Sequence, residues 1–170
     1  MATDHPSDRL LEERLPPITV VIADTDKRRL GTCVRLLRAA RGITVVATAD
    51  AVRETIGMVL HQPDILLLDL NMTRANDAAT VALVRTKSPH TQIILLTGRA
   101  SDGQVLSGIS QGARGYLDAK LLRPFLVKAV RAVAAGESWV SRAMVGKLID
   151  QLARLMTQDG RPTPSIIRSS

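Results

Sequence analysis

Three aspartates stand where apolar runs stop. Asp24 and Asp26 follow ITVVIA (18–23), and Asp69 follows ILLL (65–68). A carboxylate closing an otherwise apolar segment calls for a reason. Two that converge can hold a hard cation such as Mg2+. One alone can attack phosphorus and form an acyl phosphate. The plain alternative is a helix cap or a solvated strand end. That alternative is strong for Asp26, which stands where an N-cap is needed. Other chemistry finds little support. His5, His61 and His90 are scattered, without Cys or acidic partners at ligand spacing. No Gly-rich nucleotide loop follows the first run. The single cysteine, Cys33, lies at an apolar position and reads as a small buried hydrophobe.

The elements that must position these aspartates are legible as an alternation. Apolar runs occur at 18–23, 43–47, 65–68, 93–96 and, briefly, 115–117. They are continuous rather than alternating, as in parallel strands covered on both faces. Helical patterns separate them. The first covers 26–41, with Leu30, Cys33, Val34, Leu37 and Ala40 on one face, and Gly42 ends it. Asp50 is placed to cap a second, reaching His61; a third covers 77–87, a fourth 102–111 and a fifth 122–135. Five strands alternating with five helices predict right-handed crossovers. The fold class is α/β: an open, doubly wound, flavodoxin-like parallel sheet of order 2-1-3-4-5, with an extra C-terminal helix. In such a sheet the functional crevice opens at the carboxyl ends of strands 1 and 3. Asp24 and Asp69 both stand there.

Bulk properties limit the rest. A chain of 170 residues, 45% hydrophobic, can bury a core; with Trp139, Tyr116 and Phe125 its only aromatics, that core must be aliphatic. One cysteine permits no internal disulfide, so the compartment reads as reducing and cytoplasmic. No run approaches the roughly 20 apolar residues of a membrane span, so no membrane partner is expected. The division expected is a loose arm at 1–17, a main domain at 18–137, a helix at 138–157 and a tail or linker at 158–170. The tail ends in DGRPTPSIIRSS, which reads as a linker. There is no internal repeat.

Several segments resemble one family. PDILLLDLNM (63–72) looks like the strand-3 motif of response-regulator receivers, and VVIADTDKRRL (20–30) like their strand-1 acidic motif. ILLTG (94–98) resembles their strand-4 motif. GARGYLDAK (112–120) and AVRAVAAGESWVS (129–141) resemble receivers of the NarL/FixJ type, whose output domains are helix-turn-helix. The resemblance spans about 18–157, with four motifs in order at the right strand ends. It implies Asp69 as phosphoacceptor, Asp24 and Asp26 as the acidic pocket, and Thr97 and Tyr116 as switch residues. Gly98 would keep the approach to the phosphate open. Asp24, Asp69 and the backbone carbonyl of Asn71 would be the ligands of a weakly held Mg2+. It further implies two-component signalling, with a sensor histidine kinase as partner and transcription controlled through a separate DNA-binding domain. No enzymatic activity is implied.

The departures from the family pattern are as informative. Thr25 stands where a second acid is usual, Ala119 where a Lys is usual, and Thr73 in place of a Pro. Lys120 is the possible phosphate-pairing residue in place of that Lys, but it is one residue late, and in a strand that offset reverses a side chain's direction unless a bulge intervenes. The pocket therefore reads as atypical, and a phosphorylation-independent scaffold or ligand sensor is the alternative. Asp24-x-Asp26 and IILLTGR also resemble motifs of haloacid-dehalogenase-like phosphatases, but no acidic pair follows Thr97 and Asp69 would be left unexplained.

Two surface features complete the reading. Val145, Leu148, Leu152 and Leu155, widened by Ile149 and Met156, form a stripe suited to a homodimer or to packing on the domain. The net charge is +7, with Lys27, Arg28, Arg29, Arg35, Arg38 and Arg41 crowding the first helix. This reads as a basic surface capable of at most weak, salt-sensitive DNA contact.

Overall fold

A computed structural model describes residues 15–73 and 77–158. The N-terminal arm up to residue 14 and the tail from residue 159 lie outside the described residues. Five strands, β1 (Ile18–Ala23), β2 (Ile43–Ala49), β3 (Ile65–Asp69), β4 (Gln92–Thr97) and β5 (Gly115–Asp118), form one parallel sheet of order β2-β1-β3-β4-β5. The expected α/β class and strand order are thus what is found. Between the strands lie α1 (Lys27–Arg38), α2 (Val52–Val59), α3 (Asp77–Lys87) and α4 (Asp102–Ser110), and α5 (Leu122–Ala134) follows β5. Short 3-10 turns continue β3 (Leu70–Thr73) and β5 (Ala119–Leu121).

The central strands carry Val, Ile and Leu with almost no exposed surface, because helices cover both faces. On one face Val20, Ile22, Ile65, Leu67, Ile94 and Leu96 meet Cys33 and Leu37 of α1 and Leu126, Ala129, Val130 and Val133 of α5. Helices α2, α3 and α4 pack in sequence with one another. The edge strand β2 departs from the expected continuous burial. Its inner positions alternate between exposed and half-buried, since an edge strand is covered less completely.

Helix ends differ from the sequence reading in instructive ways. The first helix stops at Arg38, with Ala39 as C-cap, and Gly42 takes a positive φ of 72° in the turn into β2. Asp50 does not cap α2: Ala51 is the N-cap and no side chain bonds there. Helix α4 is held by a reciprocal cap, with Ser101 Oγ accepting from Gln104 N–H and Gln104 Oε1 accepting from Ser101 N–H. This offsets the two glycines inside it.

Val140 begins a second compact unit, in which α6 (Arg142–Gln158) starts with Ser141 Oγ accepting from Met144 N–H at 3.2 Å. Within the first unit the chain returns to the sheet edge at Trp139. Tyr116 N–H donates to the Trp139 carbonyl at 3.0 Å, and Trp139 N–H donates to that of Arg114.

Candidate functional site

Strand register decides which carboxylates meet. Ala23 is level with Leu68, so Asp24 and Asp69 emerge side by side at the carboxyl ends of β1 and β3. Asp69 is the last residue of β3, and both carboxylates are fully buried. Thr97, at the end of β4, is level with Asp118 of β5 and is buried as well.

A buried carboxylate must be paired or neutralised, and the partner here is Arg29. Its Nη2 donates to Asp24 Oδ1 at 2.8 Å and also lies 2.8 Å from Asp69 Oδ1. Its Nε donates to the other oxygen of Asp24. One planar guanidinium thus grips Asp24 with two parallel donors and bridges to Asp69, a geometry a Lys ammonium does not reproduce. The side chain of Arg29 is only 8% exposed. Gly98 makes room for it: a Cβ there would stand 3.0 Å from Arg29 Nη1. The remaining lone pairs are met locally. Thr25 Oγ1 donates to Asp69 Oδ2 (3.0 Å), Asn71 N–H to Asp69 Oδ1 (3.0 Å), and Asp26 N–H to Asp24 Oδ1 (2.8 Å).

Helix α1 delivers Arg29. Asp26 Oδ1 accepts from the backbone N–H of Arg28 (2.9 Å) and of Arg29 (3.2 Å), which makes Asp26 the N-cap and Arg29 the third helical residue. Those bonds hold the Asp26 carboxyl below its ordinary range. Asp26 is therefore engaged as a cap: it lines the cleft at the mouth of the site and does not share the Arg29 guanidinium with Asp24 and Asp69, a correction to its expected acidic-pocket place. Burial pushes Asp24 the other way, above the usual carboxylate range, although Arg29 opposes the shift. Burial also pushes the Cys33 thiol up to about 12, which suits an inert core residue.

The donor set fits Mg2+ poorly. The position between Asp24 and Asp69 already holds a positive charge, and Thr25 donates a hydrogen bond to Asp69 instead of offering a charged ligand. Among the described residues no group of three His, Cys, Asp or Glu side chains could hold a metal ion.

Sequence reasoning put Arg29 on the basic surface and missed its role. The usable signal is spacing: Arg29 lies three residues after an N-cap Asp and five after Asp24, one helical turn from the strand end. For Lys120, the possible phosphate-pairing residue, it is the objection from strand direction that falls. The strand ends at Asp118, whose Oδ1 accepts from Lys120 N–H at 2.8 Å, and a 3-10 turn follows. Strand alternation therefore does not govern Lys120, which lines the cleft at the mouth of the site together with Asn71, Gly98 and Ala119. Tyr116 is half-buried in β5.

Comparison with known proteins agrees with this architecture. The family model of the response regulator receiver domain matches residues 20–131. The nitrate/nitrite response regulator protein NarL of Escherichia coli K12 is 33% identical over 138 residues, which cover 80% of this chain and 63% of that protein. The receiver domain of the putative response regulator NarL from Mycobacterium tuberculosis superposes with a TM-score of 0.67 at 29% identity, covering 72% of this chain and all of that one. A LuxR-family response regulator from Aurantimonas reaches a TM-score of 0.70 at 21% identity and supports the fold alone. The strand order, the aspartates at the switch point and the family match agree, and the chain belongs to the response regulator receiver family.

Proposed function

We propose that this chain is the signal-receiving module of a two-component transcription regulator, and that its pocket has exchanged the metal for an arginine. The observation that carries the reading is Arg29 bridging Asp24 and Asp69. Phosphoryl transfer to a carboxylate brings like charges together, so it depends on cations positioned around the acceptor. In this pocket the nucleophile Asp69 is tied up by a guanidinium, by Thr25 and by Asn71 N–H, and Ala119 offers no ammonium. Asp69 is thereby a poor acceptor, and Mg2+ is at best a weak ligand. The same observation favours phosphorylation-independent signalling over transfer from a sensor histidine kinase, although that kinase remains the partner class the family points to. DNA is reached through a separate output domain. The module itself is a regulator rather than an enzyme, and a dehalogenase-type phosphatase reading leaves the Arg29 bridge without purpose. The family match supports a cytoplasmic place of action; no helix among the described residues is long and apolar enough to cross a membrane. The α6 stripe supports a homodimer, since Val145, Ile149, Leu152, Leu155 and Met156 are all exposed.

The test is incubation with acetyl phosphate and Mg2+, read by intact mass. Wild type should stay almost unlabelled, and Arg29→Ala/Thr25→Asp/Ala119→Lys should gain one phosphoryl group that Asp69→Asn removes. Efficient labelling of wild type at Asp69 would overturn the proposal.

A further inference from the structure

We propose that the cleft over this site binds a small soluble anion bearing two or more phosphate groups. The cleft holds about 550 Å³, a volume suited to a small ligand. Its charged lining comes from four separate parts of the chain: Arg28 from the start of α1, Arg99 from the β4–α4 loop, Lys120 from the turn after β5, and Arg123 from the start of α5. Arg29 lines it as well. The one acid on the lining is Asp26, which caps α1 and stays ionised there, so four cations face one carboxylate.

Two features separate this from an ordinary solvated basic face. Cations on the convex side of one helix point apart, whereas these come from four segments and line one concavity, where like charges repel. Arg28, Arg99, Lys120 and Arg123 make no ion pair among the described residues. Helix α1 adds to the imbalance. Its first three residues are Lys27, Arg28 and Arg29, at the helix end whose dipole disfavours positive charge, and no acid stands in the first turn. Arg29 has its two carboxylates, whereas Arg28 has only the nearby charge of the capping Asp26, with no ion pair of its own. Gly98 and Ala119 contribute little side-chain bulk, which leaves the mouth open. Paired phosphates would meet the Arg side chains two-pronged, with Lys120 as a point charge.

The inference rests partly on the reading given above, because Arg29 committed to Asp24 and Asp69 leaves the outer cations for a ligand. It supplies what a module that does not accept phosphoryl groups would sense. Calorimetric titration of the full chain with pyrophosphate and with ATP, each beside inorganic sulfate, tests it at about 0.15 M salt, where loose surface attraction is screened. Saturable one-to-one binding of pyrophosphate, of ATP or of both is expected, with sulfate much weaker. Binding of ATP alone assigns a nucleotide, and binding of both assigns a bare oligophosphate contact. Arg99→Ala/Arg123→Ala should weaken binding by about tenfold or more, as expected for lost charge-assisted contacts. Arg38→Ala/Arg53→Ala removes equal charge outside the cleft and should change it by less than about twofold. No saturable binding, or equal losses in the two variants, overturns the proposal. Acetyl phosphate labelling of the same samples separates the two readings. Efficient Asp69 labelling with anion binding intact removes the first and leaves this one standing.

Discussion

Asp24 and Asp69 are side by side with no exposed surface, and Arg29 is the only cation that touches both among the described residues. Removing one member of a buried ion pair is far more damaging than replacing the whole group, because it strands a buried charge. Arg29→Ala should therefore lower unfolding stability by about 3–5 kcal/mol in urea melts. It should also make the melting temperature depend on Mg2+, since a cation that binds only the folded state stabilises it by mass action. Wild type should show no such dependence, and a wild-type Tm that climbs with millimolar Mg2+ would contradict the exchange of metal for arginine. The two flanking aspartates have opposite acid behaviour. Asp26 has a depressed pKa, so its contribution is present above the ordinary carboxylate range and lost as pH falls through its folded value. Asp26→Ala should cost about 1 kcal/mol at neutral pH, and the gap to wild type should close in acid. Asp24 has a raised pKa from burial, so ionising it opposes folding as pH rises above the ordinary carboxylate range.

Glycine placement separates the elements that tolerate change from those that do not. Gly31 lies inside α1, with nothing within 4 Å of where a Cβ would stand. Gly31→Ala should thus stabilise the protein by roughly 0.5–1 kcal/mol through helix propensity. Gly115 opens β5, where a Cβ would stand 2.8 Å from the Trp139 carbonyl oxygen and 2.9 Å from its Cβ. Backbone cannot swing aside as a side-chain tip can. Gly115→Ala should cost roughly 1–3 kcal/mol and disturb the bridge that ties Trp139 to the sheet edge. Thermal melts of the two variants should move in opposite directions. Equal shifts would mean that the β5 edge is looser than this packing requires.

For the whole molecule the open matter is what α6 does with its apolar stripe. Ile149, Leu152 and Leu155 are each more than half exposed and recur at helical spacing, the arrangement expected of a helix that pairs with a second copy. Sedimentation of wild type should show a dimer, and Ile149→Glu/Leu152→Glu should bring the mass to that of one chain. The circular dichroism of the receiver core should be unchanged. A monomeric wild type would sink the idea.

Periodicity made much of this protein readable in advance. Strand order, the crevice and the convergence of Asp24 with Asp69 all follow from five apolar runs and the rules that wind a parallel sheet. Asp26 as a helix cap was legible for the same local reason, since a carboxylate before a helical run has backbone N–H groups within reach. The role of Arg29 was not. Local pattern counts it among six basic residues on a polar face, and only the folded chain brings it beneath Gly98 and between two strand ends. Lys120 shows the same limit. Its direction depends on where β5 stops and a 3-10 turn begins, and that boundary is set by the Asp118 carboxylate accepting from Lys120 N–H. Burial, and the pairing it demands, belongs to the tertiary structure, because a charge acquires its partner only when distant segments exclude water together.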